Sequence, residues 1–126
     1  MAIKTLALSA EFEGSELVDV RERFFREAET AGRLQHPNIV TIFDAGEEHD
    51  LAFIAMEFLP GRDLVEFSRP GNLLPVSTVL GIGEQVAAAL DHAHRQQVVH
   101  RDIKPANVMY DPSTQSVKVT DFGIAR

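Results

Sequence analysis

Phe24, Ala28, Ala31 and Leu34 follow one another at steps of three or four residues, the spacing that lines up one face of an α-helix. The pattern predicts a helix over residues 19–34, opened by Asp19 and Glu22 as a capping box and kept from continuing by Pro37. On both sides of it the period changes. Residues 2–8 make a short apolar run that predicts a strand, and residues 11–16 make a polar loop. The β-branched stretch 39–43 predicts a second strand. After a polar turn at 46–50, residues 51–58 predict an antiparallel return strand, so that the first 58 residues read strand, helix, strand, strand.

Pro60-Gly61 and Pro70-Gly71 then punctuate the chain, which makes residues 59–73 a connector with only a short helical stretch inside it. From Pro75 onward, Val76, Val79, Leu80, Gly83, Val86, Ala87, Leu90 and Ala93 mark a long amphipathic helix that ends near Arg95, with Pro75 suited to its first turn. Residues 107–110 and 116–120 predict two short strands around the turn Asp111-Pro112-Ser113. The expected class is α+β, with a small antiparallel sheet and one helix joined to a region that opens on the long helix. Neither an internal repeat nor a low-complexity segment interrupts this order.

A length of 126 residues suits a single domain or less, and 44% apolar with 25% charged residues is ordinary globular composition. The formal charge of −7 argues against a nucleic-acid surface, because phosphate backbones select basic patches. Any phosphate site must therefore be local. The chain has no cysteine, which removes disulfides, thiolate metal sites and thiol nucleophiles and fits a reducing compartment, with the cytoplasm as the expected location. The opening apolar run is shorter than a secretion signal needs, and Glu57 and Asp63 interrupt the best candidate for a membrane span. No membrane segment is expected in this stretch.

Two polar motifs change the picture. His100-Arg101-Asp102-Ile103-Lys104-Pro105-Ala106-Asn107 is followed, fourteen residues after Asn107, by Asp121-Phe122-Gly123. Phosphoryl transfer needs little covalent help; it needs a divalent metal on the phosphate oxygens, positive charge on the phosphates and a group to orient the attacking hydroxyl. Two aspartates, an asparagine and a lysine supply candidates for each part. An isolated aspartate is more often a solvated turn residue, but several polar types at fixed offsets are a much more specific signal.

Together these motifs resemble those of the protein kinase family; Lys104-Pro105-Ala106-Asn107 resembles its Ser/Thr rather than its Tyr branch, and Arg26-Glu27-Ala28, His36-Pro37-Asn38-Ile39-Val40 and Asp121-Phe122-Gly123-Ile124-Ala125-Arg126 look like bacterial-type Ser/Thr kinases. The resemblance implies a partial kinase fold: residues 1–58 in the smaller lobe, 59–63 as hinge, and 64–126 as the start of a mainly helical lobe. It implies ATP and Mg²⁺ as cofactors and a protein Ser/Thr hydroxyl as acceptor, and says nothing of oligomeric state. Asp102 would orient the hydroxyl and accept its proton, Lys104 would neutralise the transferred phosphoryl, and Asn107 and Asp121 would hold the metal. Phe122 would pack inward beside Gly123, and His100 would take a packing role.

Met1-Ala2-Ile3-Lys4 matches the family's strand lysine except at its first position, and Glu27, in Arg26-Glu27-Ala28, is the chosen acid partner. Glu22 and Glu29 compete for that role; Glu29 lies about 200° round the helix from Glu27, so both cannot face Lys4. Residues 51–58 would carry the adenine side, with Met56 guarding a back pocket and backbone groups of residues 57–59, from Glu57 to Leu59, bonding the base. Asp63 would meet the ribose, while Ala2 and Met109 would lie above and below the ring. Read without the motifs, this run is a plain buried strand. Gly81-Ile82-Gly83 lies inside a helical pattern, where close helix packing explains it better than a phosphate loop. His92 and His94 are two apart, about 200° round a helix, and cannot chelate one ion as an i, i+4 pair would.

The resemblance spans nearly all of the chain and about half of the family's catalytic domain. A glycine-rich strand-turn-strand is expected before Lys4 and an activation segment after Arg126, and without the helices on which the catalytic loop rests the long helix would be partly bare and the fold marginal. The alternative reading is a kinase-like module, or truncated product, that binds nucleotide or a partner without phosphotransfer.

Overall fold

The structure, a computed structural model, describes residues 2–7, 14–49, 51–100 and 103–120. Strand β1 (Ala2–Ala7) and strand β2 (Ile42–Glu48) flank strand β3 (Leu51–Met56) in an antiparallel sheet of order β1-β3-β2. Helix α1 (Gly14–Gly32) packs on this sheet. Helix α2 (Val76–Arg95) backs a second antiparallel sheet, in which strand β5 (Val108–Asp111) lies between the two-residue strand β4 (Arg62–Asp63) and strand β6 (Ser116–Val119). An α+β fold is thus observed.

The stripe Phe24, Ala28, Ala31 and Leu34 is buried as its spacing requires, against Ala52 and Ile54 of β3, Ala89 and Ala93 of α2, and Val119 of β6. One core therefore joins both sheets. Helix α1 begins earlier than its polar residues suggest: Gly14, at φ 60°, precedes a first turn that lets Leu17 join the core. Asp19 is consequently an exposed residue inside the helix, and the expected capping box with Glu22 does not form. Its other end, with Arg33 and Leu34 N–H groups bonded to the carbonyls of Thr30 and Ala31, tightens before Pro37 as expected.

The second strand is displaced toward the carboxyl end, and residues 46–48, expected in a turn, belong to it. Ile39 and Val40 are buried, but they pair across to the other sheet. Val119 N–H donates to the Asn38 carbonyl at 2.8 Å, and Val40 N–H donates to the Val119 carbonyl at 3.0 Å. A backbone satisfied by a residue so distant in the chain leaves no local sign of that partner.

Helix α2 has the expected bounds, with Pro75 as the residue just before it. Of its apolar residues, Ile82, Ala89 and Ala93 are buried with Val86 against them, while Val76, Val79 and Leu80 are exposed by 76%, 52% and 66%. A helix apolar on two faces offers two readings of one pattern, and the bare face matches the expectation of a partly uncovered helix. Close packing also fails to explain Gly81 and Gly83, because a Cβ at either would meet nothing within 4 Å. The helix ends through Gln97 at φ 64°, with Val98 N–H on the Ala93 carbonyl. No described helix is long and apolar enough to cross a membrane.

The connector is better ordered than its composition suggests. It contributes β4 and a 3₁₀ turn over Glu66–Ser68, and it runs so close to β5 that a Cβ on Gly61, at φ 90°, would stand 2.2 Å from the Tyr110 carbonyl oxygen. Glycine is required there on two counts. Gly61→Ala should destabilise the fold by about 2–4 kcal/mol, against about 1 kcal/mol for Gly71→Ala, where φ is 87° but the space is open. Urea unfolding of both variants checks this; equal losses would remove the steric part of the explanation.

Candidate active site

The two motif-bearing segments meet at a buried knot. His100, 1% exposed, places Nε2 2.7 Å from the Thr120 carbonyl oxygen. Thr120 in turn donates its N–H, at 2.9 Å, and its hydroxyl, at 3.3 Å, to the Asn107 carbonyl. Buried polar groups at this depth are costly unless bonded, so the three residues hold one another's positions. His100 thus has the structural role expected of it. Asp102 and Asp121 lie outside the described residues, as do Arg101 and Phe122. The segments leading into both aspartates are nonetheless fastened together, the first by His100 and the second by Thr120.

Asn107 is 5% exposed and closes the 3₁₀ turn Pro105–Asn107, its N–H bonded to the Lys104 carbonyl at 2.9 Å. Lys104 is exposed and extended just before that turn. Leu64 N–H is shared, at 3.0 Å each, between the carbonyls of Pro105 and Val108, which ties the connector to the same segment. Amide and carboxylate oxygens of the Asn107 and Asp121 type are hard donors suited to Mg²⁺.

Cross-strand register sets Asp63 and Met109, both expected at the nucleotide, side by side. Asp63 opposes Met109, and Met109 opposes Lys118, so the three share one face of the second sheet. On the opposite face Val108, Tyr110, Val117 and Val119 are buried. Asp63 Oδ1 accepts the N–H of Val65 at 3.0 Å and of Glu66 at 3.4 Å, so the residue expected at the ribose also caps its own turn. In the first sheet Ala2 opposes Met56, and Lys4 opposes Ile54, whose own side chain lies in the core shared with α1. Glu27 sits on α1 beside Ala28; the side chains of Lys4, Ala2 and Glu27 lie outside the description. Glu22 and Glu29 are both exposed.

Leu59 is half-buried in the segment after β3, and Phe58 before it is 69% exposed. Glu57 has partners on both sheets. Its N–H donates to the Thr41 carbonyl at 2.9 Å, extending the ladder between β2 and β3, which leaves its carbonyl as the backbone group for a base contact. Its side chain accepts Lys118 Nζ and the Thr41 N–H, each at 2.8 Å. Burial pushes the Glu57 carboxyl up, but the bonds from Lys118 and Thr41 together outweigh it and hold the group below its usual range.

Asn38, read from the sequence only as part of a motif, donates Nδ2 to Gln85 Oε1 and to the Val117 carbonyl, each at 2.9 Å. Gln85 on α2 also accepts Val117 N–H at 3.1 Å. Nothing local in the sequence marks Gln85 or Lys118, because their partners are distant in the chain. His92 of α2 lies against His36, with ring centroids 5.1 Å apart, while His94 is exposed.

A model of the family described as the protein kinase domain matches residues 1–126. The chain belongs to the protein kinase family. It is 50% identical over 103 residues to serine/threonine-protein kinase PrkC of Bacillus subtilis, covering 82% of this chain and 16% of that protein. With serine/threonine-protein kinase PknJ of Mycobacterium tuberculosis it shares 43% identity over 128 residues, 99% of this chain and 21% of that protein. The crystal structure of the Mycobacterium tuberculosis PknI kinase domain superposes with a TM-score of 0.80 at 39% identity, covering 98% of this chain and 49% of that one. The structure of Rad53 in complex with AMP-PNP gives 0.79 at 27% identity, over 97% of this chain and 30% of that chain. The kinase chain is thus of the bacterial Ser/Thr type, and it spans about a fifth or less of these curated relatives and about half of the PknI domain.

The Glu57 carboxylate gives a pH signature. A carboxyl held below its ordinary value contributes stability that is present above that value, near 4.5, and is lost as pH falls through its lowered value in the fold. Glu57→Gln should therefore cost about 1 kcal/mol at pH 7, a figure reduced by the partial exposure of the pair, and almost nothing at pH 3. Denaturant titrations at both pH values check this; an equal cost at each would assign the loss to packing.

Proposed function

We propose that this chain carries the nucleotide- and metal-binding half of a Ser/Thr protein kinase that transfers the γ-phosphoryl of ATP to a protein Ser or Thr hydroxyl. The observation that carries the reading is the knot of His100, Thr120 and Asn107, which fastens together the segments bearing the two aspartates. In this reading residues 1–58 form the smaller lobe, 59–63 the hinge and 64–126 the start of the larger lobe. The family match and the likeness to Ser/Thr kinases support it.

Asp102 orients the acceptor hydroxyl and takes its proton, and Lys104 balances charge on the phosphoryl in flight. Lys4, held by Glu27, contacts the other phosphates. Asn107 and Asp121 hold Mg²⁺, which when bound supplies charge neutralisation on the phosphate oxygens. Met109 gives the adenine an apolar floor, Ala2 its roof, Glu57 and Leu59 backbone contacts and Asp63 a contact at the ribose.

In the full-length protein with Mg²⁺, labelled ATP and a generic basic acceptor protein, Asp102→Ala and Asp121→Ala should each lower phosphate transfer about a hundredfold to ten-thousandfold. Asp91→Ala, which removes only an exposed partner of Arg95, should stay within about twofold. Transfer that survives both active-site substitutions would contradict the proposal.

A further inference from the structure

Lys118 is an unusual residue to find in the strand that leads toward Asp121. Its neighbours Val117 and Val119 are fully buried on one face, while Lys118 shares the other with Met109 and Asp63. A lysine with 27% of its side chain exposed needs a counter-charge, and it comes from the first sheet: Glu57 Oε1 lies 2.8 Å from Nζ, with the Glu57 side chain 24% exposed. The same oxygen accepts the Thr41 N–H from the residue preceding β2. One carboxylate oxygen is thereby bonded to both sheets, and it belongs to the residue that opens the segment proposed to run along the adenine.

We infer that Glu57 and Lys118 are a positioning pair for nucleotide: their bridge sets the adenine-contacting segment 57–59 at a fixed height over the sheet face carrying Met109. The inference rests on the kinase reading above, and adds to it two side chains that touch no phosphate and no metal. Chemically the pair acts before transfer. An adenine ring needs its edge contacts and its apolar floor at a fixed separation, and these come from different sheets. A bridge shielded from solvent on most sides resists sliding of one sheet over the other better than apolar contacts, which are non-directional.

The test is steady-state kinetics of the full-length protein, with binding of a fluorescent ATP analogue measured in parallel without turnover. Lys118→Met, which keeps the aliphatic stem, and Glu57→Gln should each raise KM for ATP and Kd for the analogue about threefold to tenfold. The turnover number and KM for the acceptor protein should stay within about twofold. The double variant should be no worse than either single one, because both remove the same bridge, and Lys118→Arg should recover most of the loss. Thermal unfolding of each variant, with assays run well below its midpoint, separates nucleotide effects from loss of fold. An unchanged KM for ATP, additive effects in the double variant, or equal falls in every kinetic parameter would overturn the pair's role. A wild-type protein that binds the analogue without transferring phosphate would overturn the catalytic reading while the binding series still decides the pair. A wild type that binds no ATP analogue would overturn both.

Discussion

Strand β6 is the member on which the rest of the structure hangs. It is only four residues long, Ser116–Val119, yet it is held by β5 on one side and by the backbone of residues 38–40 through two hydrogen bonds of Val119. Gln85 of α2 bonds Val117, and Glu57 bonds Lys118. Short strands with few ladder bonds are intrinsically weak. The added anchors come from the helix, the loop before β2 and the segment after β3, so that a displacement of any of these would be felt at Thr120.

Thr120 converts that support into site geometry. Its carbonyl meets His100 and its N–H and hydroxyl meet the Asn107 carbonyl, so the strand's end is joined to both flanks of the other motif. The core beneath is shared: Val119 packs with Phe24 and Ala28 of α1 and with Ala89 and Ala93 of α2. Burial of apolar side chains of this size stabilises by roughly 1.5–3 kcal/mol each for the larger ones. The helix bearing Glu27 and the strand leading to Asp121 thus rest on one set of contacts, and the exposed row Val76, Val79 and Leu80 marks where α2 has no such cover among the described residues.

Much of this was legible in the chain because the informative residues act locally. Phe24, Ala28, Ala31 and Leu34 declare a helix face by spacing alone, and α2 starts after Pro75 and ends at Arg95 as its apolar period indicates. His100, given a packing role on the strength of its motif, is buried and bonded. What escaped was set by tertiary partners. Ile39 and Val40 look like the start of β2, but the Asn38 carbonyl and the Val40 N–H on either side of Ile39 are bonded to Val119; the face of α2 that turns inward is chosen by β6, since both faces are apolar; and Glu57, 61 residues from Lys118, shows no sign of its ion pair. Asp19 and Glu22 compose a capping box by type, yet burial of Leu17 draws the helix start back to Gly14.

The central claim is that residues on the two fastened segments share one metal and its nucleotide. The most direct measurement is a crystal structure of the full-length protein, or its catalytic domain, soaked with Mg²⁺ and a non-hydrolysable ATP analogue. The account predicts an Mg²⁺ ion with the Asn107 side-chain oxygen and an Asp121 carboxylate oxygen both about 2.1 Å away, bridging to phosphate oxygens. A metal and triphosphate bound without either residue, or seated away from the knot of His100, Thr120 and Asn107, would contradict it.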